Sequence, residues 1–256
     1  MNSPAPSRVA AFFDLDGTLI PFPSLERRLV RALVYRHAIP VSSFALWPLE
    51  WARLAARGVS QARQGNKVYL RKVPAERAAG LAEQLTDAAH LAFFPQALDC
   101  VAWHASQGHA IALVTGTLEL LARSAAWSLQ SELALRGFPT TIFVRATSLE
   151  EDSGRWTGRT VGEPMFGLAK AAAAKGLAAS LELNLSLCYA YGDSIHDCHM
   201  LESVGRPLAV NPSPSLQRLS RRNGWPTSEW RLAGREESGS VTNRIHLAKR
   251  KVETLG

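Results

Sequence analysis

The stretch "AFFDLDGTLI" at residues 11–20 places two acidic side chains directly after an apolar run. The apolar run predicts a buried strand, and Asp14 and Asp16 follow it with one residue between them. Because successive residues of a strand point to opposite faces, the chain must turn directly after Asp14 for both carboxylates to reach one site. Gly17 has the backbone freedom for that turn. The stretch therefore predicts a strand that ends in a site containing two carboxylates.

Short apolar runs along the rest of the chain predict strands that lie beside the first one. Helical segments at 118–135 and 168–179 lie between them. Near-continuous apolar strands that alternate with helices are typical of a parallel sheet covered on both faces. We therefore predict an α/β fold with a Rossmann-like, mostly parallel sheet flanked by helices. The predicted strands cover residues 9–13, 109–115, 140–146, 187–191 and 207–210.

An insertion interrupts this alternation early in the chain. It is rich in Arg and Ala and has helical spacing without a convincing strand, so we expect about four short helices there. The residues expected to separate these helices are Gly58, Gly65, Pro74 and Gly80. The predicted organisation is a discontinuous core over 1–21 and 93–234, a helical cap over 22–92, and a C-terminal tail over 235–256.

Residues 148–164 depart from the α/β pattern in a different way. Three glycines lie there among alternating apolar residues, which predicts a β-hairpin projecting after a core strand. The sequence leaves open whether this hairpin is structural or faces a substrate.

The composition indicates a globular chain that remains inside the cell. Of its 256 residues 46% are hydrophobic, and no apolar run approaches the roughly 20 residues of a membrane span. The N-terminus is polar and Pro-rich, without the apolar region of a secretory signal. Cys100, Cys188 and Cys198 form no CxxC pair and suit reduced thiols. We therefore expect a cytoplasmic protein.

The net charge of +7 is spread over scattered basic residues. No nucleic-acid partner is expected, because the basic clusters are short. A basic surface also suits anionic substrates or anionic lipid headgroups. The apolar and basic segment 44–58 leaves a membrane-surface contact open, against the alternative that Trp47 and Trp51 pack on each other or on the core.

Polar side chains that could carry chemistry follow the predicted strands. In a parallel α/β sheet, ligands bind at the carboxyl ends of the strands. Carboxylates that converge there repel each other unless a cation joins them, and oxygen ligands suit Mg²⁺ completed by a substrate phosphate. One carboxylate could then attack phosphorus while another handles a proton. The candidate residues are Asp14, Asp16, Thr115, Lys170, Asp193 and Asp197.

Four motifs in chain order resemble the signatures of the haloacid dehalogenase superfamily. "DLDGTL" at 14–19 is similar to its DxDGT phosphatase form, and "LVTGT" at 113–117 is similar to its second signature. Lys170 in "GLAK" and "YGDSIHD" at 191–197 are similar to the third and fourth. The helical insertion resembles the C1-type cap of subfamily IB, the phosphoserine-phosphatase-like branch.

The resemblance implies a role for each acidic residue. Asp14 would be the nucleophile that forms an aspartyl-phosphate, and it would also bind Mg²⁺. Asp16 would act as general acid and then general base, with its backbone carbonyl on the metal and its pKa raised by neighbouring carboxylates. Asp193 would be the third metal ligand, and Asp197 would support the site.

The resemblance also implies how phosphate is held and what is hydrolysed. Thr115 and the backbone N–H of Gly116 would bind phosphate oxygens, and Lys170 would stabilise the charge on nucleophile and phosphate. The implied activity is that of a Mg²⁺-dependent phosphomonoesterase acting on a small phosphorylated metabolite, since positioning and charge neutralisation dominate phosphoryl transfer.

Several alternatives remain open at the level of sequence. Phosphotransfer to another metabolite and hydrolysis of a lipid-headgroup phosphate are alternatives on the same scaffold. A non-catalytic anion-binding module is a further alternative, but the intact set of candidate residues argues against it, and Asp16 argues against dehalogenation. Phosphoserine phosphatases carry a glutamate shortly after the first signature, where this chain has "PFP" at 21–23 and Glu26 only further along. We expect His196 and His199 not to share a metal site.

Overall fold

A six-stranded sheet, parallel throughout, forms the centre of the computed structural model. The structure describes residues 9–40, 48–49, 51–53, 56, 66–87 and 90–232. The strand order is β3-β2-β1-β6-β7-β8, with a separate two-stranded sheet of β4 and β5. The strands are β1 (Ala10–Phe13), β2 (Ala110–Leu118), β3 (Ile142–Thr147), β4 (Leu149–Asp152), β5 (Arg155–Thr160), β6 (Tyr189–Gly192), β7 (Arg206–Val210) and β8 (Thr227–Ser228).

Helices cover both faces of this sheet, which confirms the predicted α/β class. The residues of β1 alternate between two buried clusters, with Ala11 and Phe13 in one and Ala10 and Phe12 in the other. No helix among the described residues is long and apolar enough to cross a membrane. The helices are α1 (Leu25–Tyr35), α2 (Ala75–Thr86), α3 (Pro95–Ser106), α4 (Glu119–Leu135), α5 (Leu168–Ser180), α6 (Cys198–Glu202) and α7 (Pro214–Asn223).

Strand β1 lies between β2 and β6, and this position brings the three motif-bearing strands together. Phe13 is in register with Leu113 of β2 and with Tyr191 of β6. The backbone N–H of Asp14 continues the ladder by donating to the carbonyl of Tyr191 at 2.9 Å. The residues at the carboxyl ends of these three strands therefore meet at one edge of the sheet.

Strand β2 is longer than its sequence predicts. It continues to Leu118, which pairs with Thr147 of β3 after a register shift. The prediction that residue 118 begins the next helix is therefore wrong by one residue, since α4 starts at Glu119. Thr115 lies inside the strand, so it is not the N-terminal cap of the helix.

The described part of the insertion is helical, as predicted, with one boundary in the wrong place. Helix α1 buries Leu25, Leu29 and Leu33 on one face. Pro74 directly precedes α2, but Gly80 lies within α2, where nothing approaches its open side. A glycine inside a helix costs about 1 kcal/mol relative to alanine, and burial of the apolar face of α2 outweighs that cost.

Some predicted features of the insertion fall partly outside the described residues. Gly58, Gly65 and Trp47 lie outside them. Trp51 is described and is 38% exposed, so its ring is not buried in the core.

The hairpin predicted over 148–164 is present as antiparallel β4 and β5. It packs on the insertion: Lys72 N–H donates to the carbonyl of Trp156 at 2.8 Å, and Trp156 N–H donates to the carbonyl of Val73 at 3.0 Å. The indole of Trp156 is buried in this contact. The hairpin therefore joins the core to the insertion.

His104 of α3 is a fully buried imidazole that the structure holds neutral. Its Nε2 lies 2.8 Å from the hydroxyl of Tyr191, and its Nδ1 lies 2.8 Å from Nδ1 of His109. Burial, together with the neighbouring His109, lowers the pKa of His104 from 6.5 to about 3.

We expect this histidine to weaken the fold in mild acid. Between its unfolded and folded pKa the unfolded chain binds the extra proton, so stability falls as the pH drops below about 6.5. From pH 7 to 5 the wild type should lose about 2 kcal/mol more free energy of unfolding than His104→Gln. Urea unfolding at both pH values measures this difference.

The exposed His90 provides the matched control. His90→Gln should keep the wild-type pH dependence, because its imidazole faces solvent. Identical pH dependence in wild type and His104→Gln would contradict the prediction.

Candidate active site

A buried lysine joins two carboxylates at the carboxyl edge of the sheet. Lys170, in the first turn of α5, donates from Nζ to Oδ1 of Asp14 at 2.6 Å and also to Oδ1 of Asp197. All three side chains are almost inaccessible to solvent. Although burial opposes the charged form of Lys170, the two carboxylates raise its pKa above the ordinary value. The lysine is therefore a fixed positive charge in this site.

Three carboxylates surround that single positive charge. Oxygen atoms of Asp14, Asp193 and Asp197 all lie within 4.8 Å of one another. Burial, with the neighbouring carboxylates, raises the pKa of Asp14 to about 6 and that of Asp193 to about 9, while Lys170 opposes both shifts. The protein alone thus leaves negative charge uncompensated here. An oxygen-only donor set with excess negative charge fits a hard divalent cation.

The carboxylate of Asp16 makes contacts away from this cluster. Its Oδ1 accepts from the backbone N–H of Leu25 at 2.8 Å, and its Oδ2 accepts from the hydroxyl of Thr117. Burial raises the pKa of Asp16, these two hydrogen bonds lower it, and Glu26 raises it. The predicted direction of the pKa shift of Asp16 is confirmed. The predicted cause is corrected, because burial acts most strongly and the contributing carboxylate is Glu26.

Gly17 begins the turn over residues 17–19, which follows both aspartates rather than starting directly after Asp14. Its φ of +88° lies in the region that glycine adopts readily, and a Cβ there would lie 2.5 Å from Oδ2 of Asp193. The glycine therefore serves both the turn and the close approach of the third carboxylate.

Thr115 and Gly116 lie in β2 at the same edge of the sheet, directly after Val114, the last residue that pairs with β3 before the register shift. The Thr115 hydroxyl is buried and lies 3.3 Å from that of Thr117. The ring of Phe166 lies so close to Gly116 that a Cβ at this position would collide with it. The absence of a side chain at Gly116 leaves room for this ring, and both residues line the same cavity.

These groups line a cavity of about 210 Å³. The structure brings all the predicted site residues to it, except that Asp197 lies behind the wall and contacts Lys170 and Ser194. Sequence reasoning missed several lining residues. Thr117 could have been found, because it is two residues from Thr115 on a strand. The additional lining residues are Phe22, Ser24, Glu26, Thr117, Phe166, Ser194 and His196.

His196 of the fourth motif and His199, two residues beyond that motif, lie in different surroundings. His196 lines the cavity and its ring meets Phe166 edge-on, with centroids 5.8 Å apart. His199 Nδ1 lies 3.1 Å from a carboxylate oxygen of Glu202. The prediction against a shared metal site agrees with this placement.

The chain matches the haloacid dehalogenase-like hydrolase family over residues 11–202, three quarters of its length. The chain belongs to this family. The match spans every motif described above, and it identifies the protein as an enzyme, a hydrolase of the phosphatase type.

A curated relative and a solved structure are both similar to this chain over most of its length. Phosphoserine phosphatase SerB1 of Mycobacterium tuberculosis is 30% identical over 93% of this chain and 76% of its own length. A crystal structure of a protein of unknown function from Bordetella pertussis is 31% identical, with a TM-score of 0.64 over 87% of this chain and 98% of that one.

A phospho-aspartyl intermediate analogue of phosphoserine phosphatase shares the fold. It is 16% identical, with a TM-score of 0.58 over 87% of this chain and 93% of that one. At that identity the likeness concerns the architecture alone.

We expect Lys170→Met to destabilise the fold strongly, because it leaves Asp14 and Asp197 without their counter-charge. Removing one partner of a buried ion pair costs about 3–5 kcal/mol, and urea unfolding at pH 7.5 without divalent metal measures this cost.

The matched control for this variant is Lys175→Met, on the exposed face of the same helix. Its free energy of unfolding should stay within about 0.5 kcal/mol of the wild type. Equal losses in the two variants would contradict the role of Lys170.

Proposed function

We propose that this hydrolase is a Mg²⁺-dependent phosphomonoesterase that acts on small phosphorylated metabolites through an aspartyl-phosphate on Asp14. The observation that supports this most is the placement of Asp14 at the end of the central strand, held by Lys170 and with two further carboxylates within 4.8 Å. The proposal includes the cytoplasm as location and residues 22–92 as a cap over the site.

The residues that would hold Mg²⁺ are the carboxylates of Asp14 and Asp193, with the backbone carbonyl of Asp16 as a third protein ligand. Asp197 would support them through Lys170 and Ser194. When bound, the ion supplies positive charge that offsets the carboxylates and the phosphate of the substrate. The raised pKa values of Asp14 and Asp193 support this assignment, because a bound cation would offset the burial and the carboxylate repulsion that raise them.

The first half-reaction forms the phosphoenzyme. Lys170 binds Oδ1 of Asp14, so we assign Oδ2 as the oxygen that attacks phosphorus. As the bond from Oδ2 to phosphorus forms, the bond from phosphorus to the ester oxygen breaks. Asp16 gives its proton to that leaving oxygen, and its raised pKa favours the protonated form that this step requires.

The second half-reaction releases phosphate. Asp16, now ionised, takes a proton from water, and the water oxygen attacks phosphorus while the bond to Asp14 breaks. The Thr117 hydroxyl and the Leu25 N–H hold the carboxylate of Asp16 in place for both transfers. Free phosphate and unmodified Asp14 result.

The cavity also contains groups that could bind phosphate, and its volume limits the size of the substrate. Thr115 and the backbone of Gly116 lie beside Asp14 and Lys170, where they would bind the non-reacting phosphate oxygens. A volume of about 210 Å³ suits a small alcohol on the phosphate.

Asp14→Asn should lower kcat with p-nitrophenyl phosphate by at least about 10³-fold, because an amide is a far weaker nucleophile than a carboxylate. Circular dichroism should show an intact fold. Asp99→Asn, at a carboxylate that is 77% exposed, is the matched control and should retain activity. A folded and active Asp14→Asn would rule out this nucleophile.

Removing divalent metal with EDTA should abolish phosphate release, and Mg²⁺ should restore it. Asp193→Asn should raise the Mg²⁺ concentration needed for half-maximal activity by about tenfold or more, since it removes one charged ligand. Phosphate release is measured against Mg²⁺ concentration. Undiminished turnover in EDTA would contradict the metal assignment.

A further inference from the structure

Glu26 is the charged residue of the cavity wall that the proposed chemistry does not use. It lies in the first turn of α1, next to the Leu25 N–H that binds Asp16. Glu26 and Asp16 line the same cavity, and the Glu26 carboxylate also raises the pKa of Asp16. A substrate whose phosphate lies at Asp14 therefore meets Glu26 with the alcohol part of the ester.

The carboxylate of Glu26 is already paired. Lys67 Nζ donates to its Oε1 at 2.5 Å and to its Oε2 at 2.7 Å, and the hydroxyl of Tyr69 donates to Oε1. Both donors belong to one short segment, because Tyr69 lies in the 3₁₀ turn Val68–Leu70 that Lys67 precedes. Glu26 lines the cavity, whereas Lys67 and Tyr69 bind it from behind.

Burial makes this pair hard to open. The side chain of Lys67 is 8% exposed and that of Glu26 is 16% exposed. An ammonium group on a substrate would have to compete with Lys67 for the same two oxygens, and separating a buried ion pair is strongly unfavourable. The pair therefore presents no net negative charge to the cavity.

A hydroxyl group on the substrate faces no such competition. A carboxylate has about four lone-pair positions, and the three donors described here leave one for a neutral donor. The cavity wall at Glu26 is thus a hydrogen-bond acceptor whose charge is already balanced.

We propose that Glu26, held by Lys67 and Tyr69, determines substrate specificity by selecting phosphate esters of uncharged, hydroxyl-bearing alcohols over esters that carry an ammonium group. The inference rests on the proposed phosphomonoesterase function. It predicts that phosphoserine is a poor substrate for this enzyme, in contrast to the relative from Mycobacterium tuberculosis that is named phosphoserine phosphatase.

The first test compares substrates of similar size on the wild-type enzyme with Mg²⁺. We expect kcat/KM for sn-glycerol 3-phosphate to exceed that for O-phosphoethanolamine and for O-phospho-L-serine by about tenfold or more. Hydrolysis of p-nitrophenyl phosphate is followed in parallel as a readout of the chemistry alone. A preference for either ammonium ester overturns the specificity proposal, whereas absence of p-nitrophenyl phosphate hydrolysis overturns the proposed function itself.

The second test removes the lysine that neutralises the carboxylate of Glu26. Lys67→Met should shift the ratio of kcat/KM for phosphoethanolamine over glycerol phosphate upward by about tenfold or more, because Glu26 is then free to bind ammonium. Adding Glu26→Gln to that variant should cancel the shift. Lys175→Met, the same substitution on an exposed helix face, should keep the wild-type ratio.

The variants also separate specificity from loss of structure. A merely structural role for Lys67 would lower kcat/KM for both esters equally, and an unchanged ratio in folded Lys67→Met overturns the proposal. If that variant does not fold, Tyr69→Phe replaces it, with a smaller shift expected in the same direction. In either case, the wild-type ratio of kcat/KM for glycerol phosphate to kcat/KM for the two ammonium esters decides the proposal.

Discussion

Repulsion among carboxylates at the end of β1 is the constraint on which the rest of the structure depends. Asp14, Asp193 and Asp197 bring their oxygen atoms within 4.8 Å in a region closed to solvent, and only Lys170 opposes their charge among the described side chains that bond to them. That arrangement persists because the parallel sheet and α5 fix its members from different directions. Two of the three carboxyl groups have raised pKa values as a result.

The sheet order explains why residues so far apart in the chain reach one point. Strands β2 and β6 flank β1, so Asp14, Thr115 and Asp193 lie close together, although Thr115 comes 101 positions after Asp14 and Asp193 comes 78 positions after Thr115. The glycines refine this arrangement. Gly17 lets Asp193 approach the turn after β1, and Gly116 lets the ring of Phe166 lie against the backbone. The missing side chains of these two glycines leave the space that Asp193 and Phe166 occupy.

Much of this could be predicted from the sequence, because strand ends are local signals. The apolar run before Asp14, and the similar runs before Thr115 and Asp193, locate the site without any knowledge of tertiary contacts. Contacts between distant segments gave no such signal. The contact of Lys67 with Glu26 joins residues 41 positions apart, and the placement of Gly80 inside α2 depends on packing that local propensity does not record.

The hydrogen bond from Leu25 to Asp16 connects proton transfer with the position of the inserted helix. A hydrogen bond to an ionised carboxylate is roughly twice as strong as one to a neutral acid. In the proposed cycle Asp16 is neutral before the ester is cleaved and ionised while the phosphoenzyme persists. The grip of the core on the first turn of α1 would therefore tighten during that interval and relax when phosphate is released. In the proposed cycle, one proton on Asp16 would thus change how tightly the first turn of α1 is bound to the core.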